Sequence, residues 1–176
     1  MRISAKIAFY IVLLLPMFAG GCVKEDDPPS YSLAAGDEVP VFSVLMSDGQ
    51  VRNSMDLRGR VGVIVFFNTE CEDCRRELPE VQKAYELCGD KACFICISRE
   101  EGEAEVAAYW REHSLTLPYS AQRDRIIYNM FASSGIPRVY VFDPLMHIST
   151  VFSERDTFSA GRLVESVHAA QNASVL

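Results

Sequence analysis

Histidine and clustered positive charge are scarce in this sequence. Its three histidines, His113, His147 and His168, are scattered. No Ser-His-Asp arrangement and no phosphate-binding glycine loop stands out. The net charge is -7, and the 17 basic residues form no run. Nucleic acid is therefore excluded as the main partner. No apolar stretch reaches the roughly 20 residues that span a bilayer. Repeats and low-complexity segments are also missing. What remains is an ordinary apolar content of 49 % over 176 residues, enough for one domain with a core.

Within that frame the amino terminus stands apart. Arg2 and Lys6 precede the apolar run at residues 7–18, and small residues lead to Cys22. A basic start, a short apolar middle and small residues form a secretory signal. With a cysteine directly after them, they resemble the lipobox of bacterial lipoproteins, though Ala19 replaces the usual leucine. The resemblance implies cleavage before Cys22 and a lipid on its thiol. The expectation is a signal peptide over 1–21 and a flexible tether over 22–34, charged and proline-bearing. A single domain follows over 35–176. Lys24, Glu25, Asp26 and Asp27 also look like the tags that send some lipoproteins to the cell surface. A plain charged spacer is the alternative.

The domain reads as alternating strands and helices. Residues 39–45 and 50–55 flank Ser47-Asp48-Gly49, a hairpin signal. The runs at 61–67 and 92–98 read as strands buried on both faces. Cys74, Leu78, Val81, Tyr85 and Cys88 recur at helical spacing, which predicts a helix over 71–88. Further helices are predicted over 101–114, 124–135 and 159–171, and strands over 138–143 and 148–153. This order predicts an α/β fold, a central mixed sheet with helices on both faces and an amino-terminal β-hairpin.

Cys71 and Cys74 fall where a buried strand hands over to a helix. Thr69 is the expected N-cap. Cys71 then lies near the first helical turn, where free N–H groups and the dipole support a thiolate. Cys74 lies one turn further in, on the buried stripe. Two unequal sulfurs result: the outer attacks a disulfide, and the inner resolves the mixed disulfide.

With these residues in place, the domain resembles the thioredoxin-like superfamily, specifically the TlpA/ResA-like thiol-disulfide oxidoreductases. Four features carry the resemblance: the strand running into Cys71 and Cys74; Glu77 and Pro79; Ile136-Pro137 before a strand; and the amino-terminal hairpin. It implies that Ile136-Pro137 is a cis bond beside the cysteine pair and shapes the substrate groove. It also implies that Glu77 tunes the protonation of the cysteines. The redox disulfide would be Cys71–Cys74. No cofactor is needed, because a dithiol carries its own electron pair. The implied partners are disulfide-bearing envelope proteins, an electron-donor protein and the membrane, reached through the lipid anchor. The implied location is the cell envelope, at the periplasmic face or the cell surface.

Three departures from the family set expectations of their own. Glu70 replaces a common tryptophan, Arg138 replaces a common threonine, and Glu72-Asp73 separates the cysteines. Three carboxylates around Cys71 oppose its thiolate and offset the helix dipole. Arg75, Arg76 and Arg138 are the cations available to counter them. A poorly stabilised thiolate favours the disulfide form, hence a reductant.

Other readings stay open at this point. Cys88 and Cys93 bracket a turn and are a candidate structural disulfide. Otherwise they and Cys96 are core residues. A metal site lacks converging ligands. A peroxiredoxin-like peroxidase would need Pro and Thr or Ser where Ile64 and Asn68 stand. A binding module without turnover, gripping peptides beside Pro137, is the non-enzymatic alternative.

Overall fold

The computed structural model describes residues 31–173. The leader-like segment, Cys22 and the tether through residue 30 lie outside the described residues.

β1 (Ser43–Leu45) and β2 (Val51–Asn53) form the expected antiparallel hairpin. Gly49 at φ +79° makes its turn possible, a conformation that glycine adopts without strain. A 3-10 turn over Ser54–Leu57 leads to the main sheet.

The sheet has five strands in the order β5-β4-β3-β6-β7. They are β3 (Val61–Phe67), β4 (Ala92–Ser98), β5 (Tyr119–Ser120), β6 (Arg138–Phe142) and β7 (Ile148–Ser153). β3 runs parallel to β4, and β4 to β5, while β6 is antiparallel to both β3 and β7. β3 lies at the centre and every residue of it is buried, as its unbroken apolar run requires. Gly62 faces the Phe142 ring so closely that a Cβ would sit 1.9 Å from its nearest atom.

Adjacent residues of a strand point to opposite faces. Phe67 meets Trp110 of α2 (Glu103–Glu112), with ring centroids 4.8 Å apart. On this same face, Tyr85 of α1 (Glu72–Cys88) meets Phe94, and Arg162 of α3 (Ala160–Ala173) lies over Phe152. Phe66 points the other way, to Tyr128 and Phe131, at 5.4 and 5.0 Å. That second face is covered by a 3-10 helix, Tyr128–Met130, and by the chain near Phe42. Helical segments thus cover both faces, unequally.

Three expectations change. The helix predicted over 124–135 shrinks to the 3-10 helix, and the carbonyls of 133–135 are held by side chains. α2 starts two residues later than predicted, since Glu101 is drawn into the loop before α1, and it ends before Ser114 at φ +53°. β5 is too short to leave a periodic signal. Residues assigned to the tether also dock on the domain: Ser32 bridges to Ala132, and Leu33 N–H donates to Phe131 O.

Candidate active site

β3 leads into the loop Asn68–Glu70, in which Thr69 is buried, and α1 begins immediately after Cys71. Cys71 itself is the N-cap, in extended conformation, with no side-chain cap bond. The expected cap, Thr69, is occupied elsewhere. Its N–H donates to Glu101 Oε2 at 2.8 Å, and its hydroxyl donates to Glu101 Oε1. Glu101 is buried, so this carboxylate fixes the loop that presents Cys71. Nothing in the periodicity singled out Glu101. The available signal was its place three residues after a buried strand.

Cys71 is half-buried and its Sγ lies 3.7 Å from the Ile136 carbonyl oxygen. The Ile136-Pro137 bond is cis, as the resemblance implied. The chain therefore brings Cys71, Ile136 and Pro137 together from two distant segments. Cys74 is fully buried one turn into α1, within electrostatic reach of Cys71. Burial pushes the Cys74 thiol far above its ordinary value, and Cys71 and Glu77 add to this.

Glu77 is 6 % exposed, so it belongs to the inner face of α1. Burial raises its carboxyl to about 7, with Arg76 opposing and Asp73, Asp156 and Glu154 adding to the rise. Pro79 lies inside the same helix.

The acids around Cys71 are partly compensated. Arg75 pairs with Glu70 at 3.3 Å and donates through Nε to Thr69 O. Arg76 pairs with Asp73 at 2.6 Å. Arg138 does not join them. It turns to Ser134 O and Glu154 instead. Both pairs are solvent-exposed, so they offset the acids only weakly.

All five described cysteines are free thiols. Cys88 and Cys93 do not pair. Cys88 points into the core and donates to Ala84 O, while Cys93 is half-buried in a cleft beside Arg52 and Arg60. Cys96 is fully buried, and burial raises its thiol.

Residues 35–151 match the AhpC/TSA family. The chain belongs to that family. The AhpC/TSA match runs from the hairpin into β7 and includes Cys71, Cys74, Glu77 and Pro137. Two curated relatives are the thioredoxin-like protein YneN of Bacillus subtilis and the thiol-disulfide oxidoreductase ResA of Bacillus cereus. YneN is 27 % identical over 113 residues, covering 61 % of this chain and 65 % of that protein. ResA is 24 % identical over 109 residues, covering 61 % and 63 %. The matches thus span just under two thirds of each relative's length.

Solved structures establish the AhpC/TSA chain's fold as thioredoxin-like. A solution structure from Bacteroides thetaiotaomicron superposes with TM-score 0.74 at 23 % identity, covering 80 % of this chain and 91 % of that one. A thiol:disulfide interchange protein of the thioredoxin family from Chlorobium tepidum superposes with TM-score 0.66 at 23 % identity, covering 79 % and 99 %.

Proposed function

We propose that this protein is a thiol-disulfide oxidoreductase of the cell envelope, anchored by a lipid on Cys22, that reduces disulfides of exported proteins. One observation carries the chemistry. A half-exposed sulfur at a helix start lies 3.7 Å from the carbonyl before Pro137, with a second, fully buried thiol behind it. The similarity to the thiol-disulfide oxidoreductase ResA supports the same chemistry.

The Cys71 thiolate attacks one sulfur of the substrate disulfide. The substrate's other sulfur leaves with the electron pair and takes up a proton. Cys74 then attacks the Cys71 sulfur and releases the substrate as a dithiol. Two electrons have passed to the substrate, and a Cys71–Cys74 disulfide remains. Cys74 must lose its proton for this step, against the effect of its burial. Glu77, within electrostatic reach and poised near neutrality, is the acceptor. A donor protein's dithiol restores the pair. The groove beside Ile136 and Pro137 receives the substrate chain. The reducing direction rests on Glu70, Glu72 and Asp73, whose charges oppose the Cys71 thiolate despite the exposed arginine pairs.

The test is reduction of insulin disulfides by the wild-type chain and by Cys71→Ser. The wild type should turn over and the variant should not. Activity that survives the substitution sinks the dithiol mechanism. In Cys74→Ser the mixed disulfide should accumulate, and the protein attached to it identifies the substrate.

A further inference from the structure

Four successive carbonyls lead up to Pro137, and each holds a side-chain donor. Arg125 Nη2 donates to Ser133 O at 2.8 Å. Arg138 donates Nε and Nη2 to Ser134 O at 3.0 and 2.8 Å. The Tyr128 hydroxyl donates to Gly135 O at 2.6 Å. The Cys71 thiol donates to Ile136 O at 3.7 Å. None of these donors is a backbone N–H of a helix or strand. Side chains from four places in the sequence hold the segment instead.

Arg138 is the centre of the arrangement. Its side chain is 12 % exposed and reaches three elements at once. Besides the two bonds to Ser134 O, its Nη1 donates to Ser32 Oγ at 3.2 Å, and Nη2 lies 3.8 Å from Glu154 Oε2 on the loop after β7. Glu154 closes on the same segment. A Cβ on Gly135, whose φ is +84°, would lie 2.6 Å from that carboxylate oxygen. The amino-terminal segment lies against the other side, with Tyr31 N–H on Ser133 Oγ and Ser133 N–H on Tyr31 O.

We propose that Arg138 is a positioning residue for the redox pair, holding the Ser134–Ile136 backbone as a fixed wall opposite Cys71 for a peptide disulfide. This rests on the oxidoreductase reading. Two N–H groups on one oxygen set direction as well as distance, which the single point charge of a lysine does not reproduce. A wall ordered in advance spares the bound peptide the cost of ordering it. Loss of Arg138 therefore weakens peptide binding and leaves the sulfur chemistry of Cys71 and Cys74 in place.

The experiment measures reduction of oxidised insulin by the full chain, with KM and kcat read separately. In Arg138→Lys and Arg138→Thr, KM rises about tenfold and kcat stays within about threefold. Tyr128→Phe removes only the hydroxyl bond to Gly135 and keeps the ring. It raises KM in the same direction by about threefold, and it decides the matter if the Arg138 variants do not fold. A wild-type KM in folded Arg138→Lys, or in Tyr128→Phe where the others fail to fold, overturns the positioning role alone. A wild-type chain that does not reduce insulin overturns the oxidoreductase reading and this proposal with it.

Discussion

Glu77 sits one helical turn beyond Cys74, and both side chains are buried on the same face of α1. In the proposed mechanism the buried thiol must ionise, and the buried carboxyl, raised to about 7, is the group that takes its proton. Between pH 4.5 and 7 the folded protein keeps a proton on Glu77 that the unfolded chain has lost. Stability from this group is therefore complete below pH 4.5 and is lost as pH rises through 7. The loss is at most about 3 kcal/mol. In Glu77→Gln that slope should vanish. Urea titrations at pH 4.5 and pH 8 should show the variant gaining on wild type at the higher pH. The insulin-reduction profile should also lose its inflection near neutrality. An unchanged profile would remove Glu77 from the proton path.

Glu101 anchors the Cys71 loop through Thr69. Glu101→Ala leaves the buried Thr69 N–H and hydroxyl without their acceptor. The expected cost is roughly 1–3 kcal/mol in chemical denaturation, with slower insulin reduction. A shift under about 0.5 kcal/mol would show that the loop finds other partners.

Gly62→Ala separates stability from chemistry. The added methyl meets the Phe142 ring at 1.9 Å, deep in the sheet and at the end of β3 opposite Cys71 and Cys74. A melt or urea curve should show a loss of about 1–3 kcal/mol. Activity per folded molecule should match wild type.

The charges around Cys71 carry the prediction of direction. The reduction potential, measured against glutathione, should lie below about -200 mV, on the reductant side. Replacing Glu70, Glu72 and Asp73 by their amides should raise it, because the thiolate is then less opposed. A wild-type value near about -120 mV, typical of a strong oxidant, would reverse the assignment.

Cys22→Ala tests the anchor. The wild-type chain should sediment with membranes and extract with detergent, while the variant should be released. Equal partitioning of the two would exclude lipid on Cys22.

Much of the fold was legible because its strongest signals are local. The apolar runs of β3 and β4 and the stripe of α1 need no knowledge of their neighbours, and their predicted bounds agree with the structure to within a residue. The segment over 124–135 misled for the opposite reason. Its apolar spacing resembles a helix, and isolated helical turns do close over 125–132, but only a 3-10 helix forms and the carbonyls of 133–135 bond to side chains of Arg125, Tyr128 and Arg138. Propensity is a weak guide where tertiary partners compete for the backbone.

The sequence by itself determined the alternation of strands and helices, the strand-to-helix placement of Cys71 and Cys74, and the acidity around them. These depend on spacing and side-chain chemistry alone. Only the tertiary structure decided which groups meet. It seated Cys71 against Ile136 O, sent Thr69 to Glu101 and turned Arg138 away from the cysteines toward Ser134 and Glu154. All but the Arg138–Ser134 contact join residues far apart in the chain. They form because a buried polar group must find a partner, and only the folded chain determines which partner lies within reach.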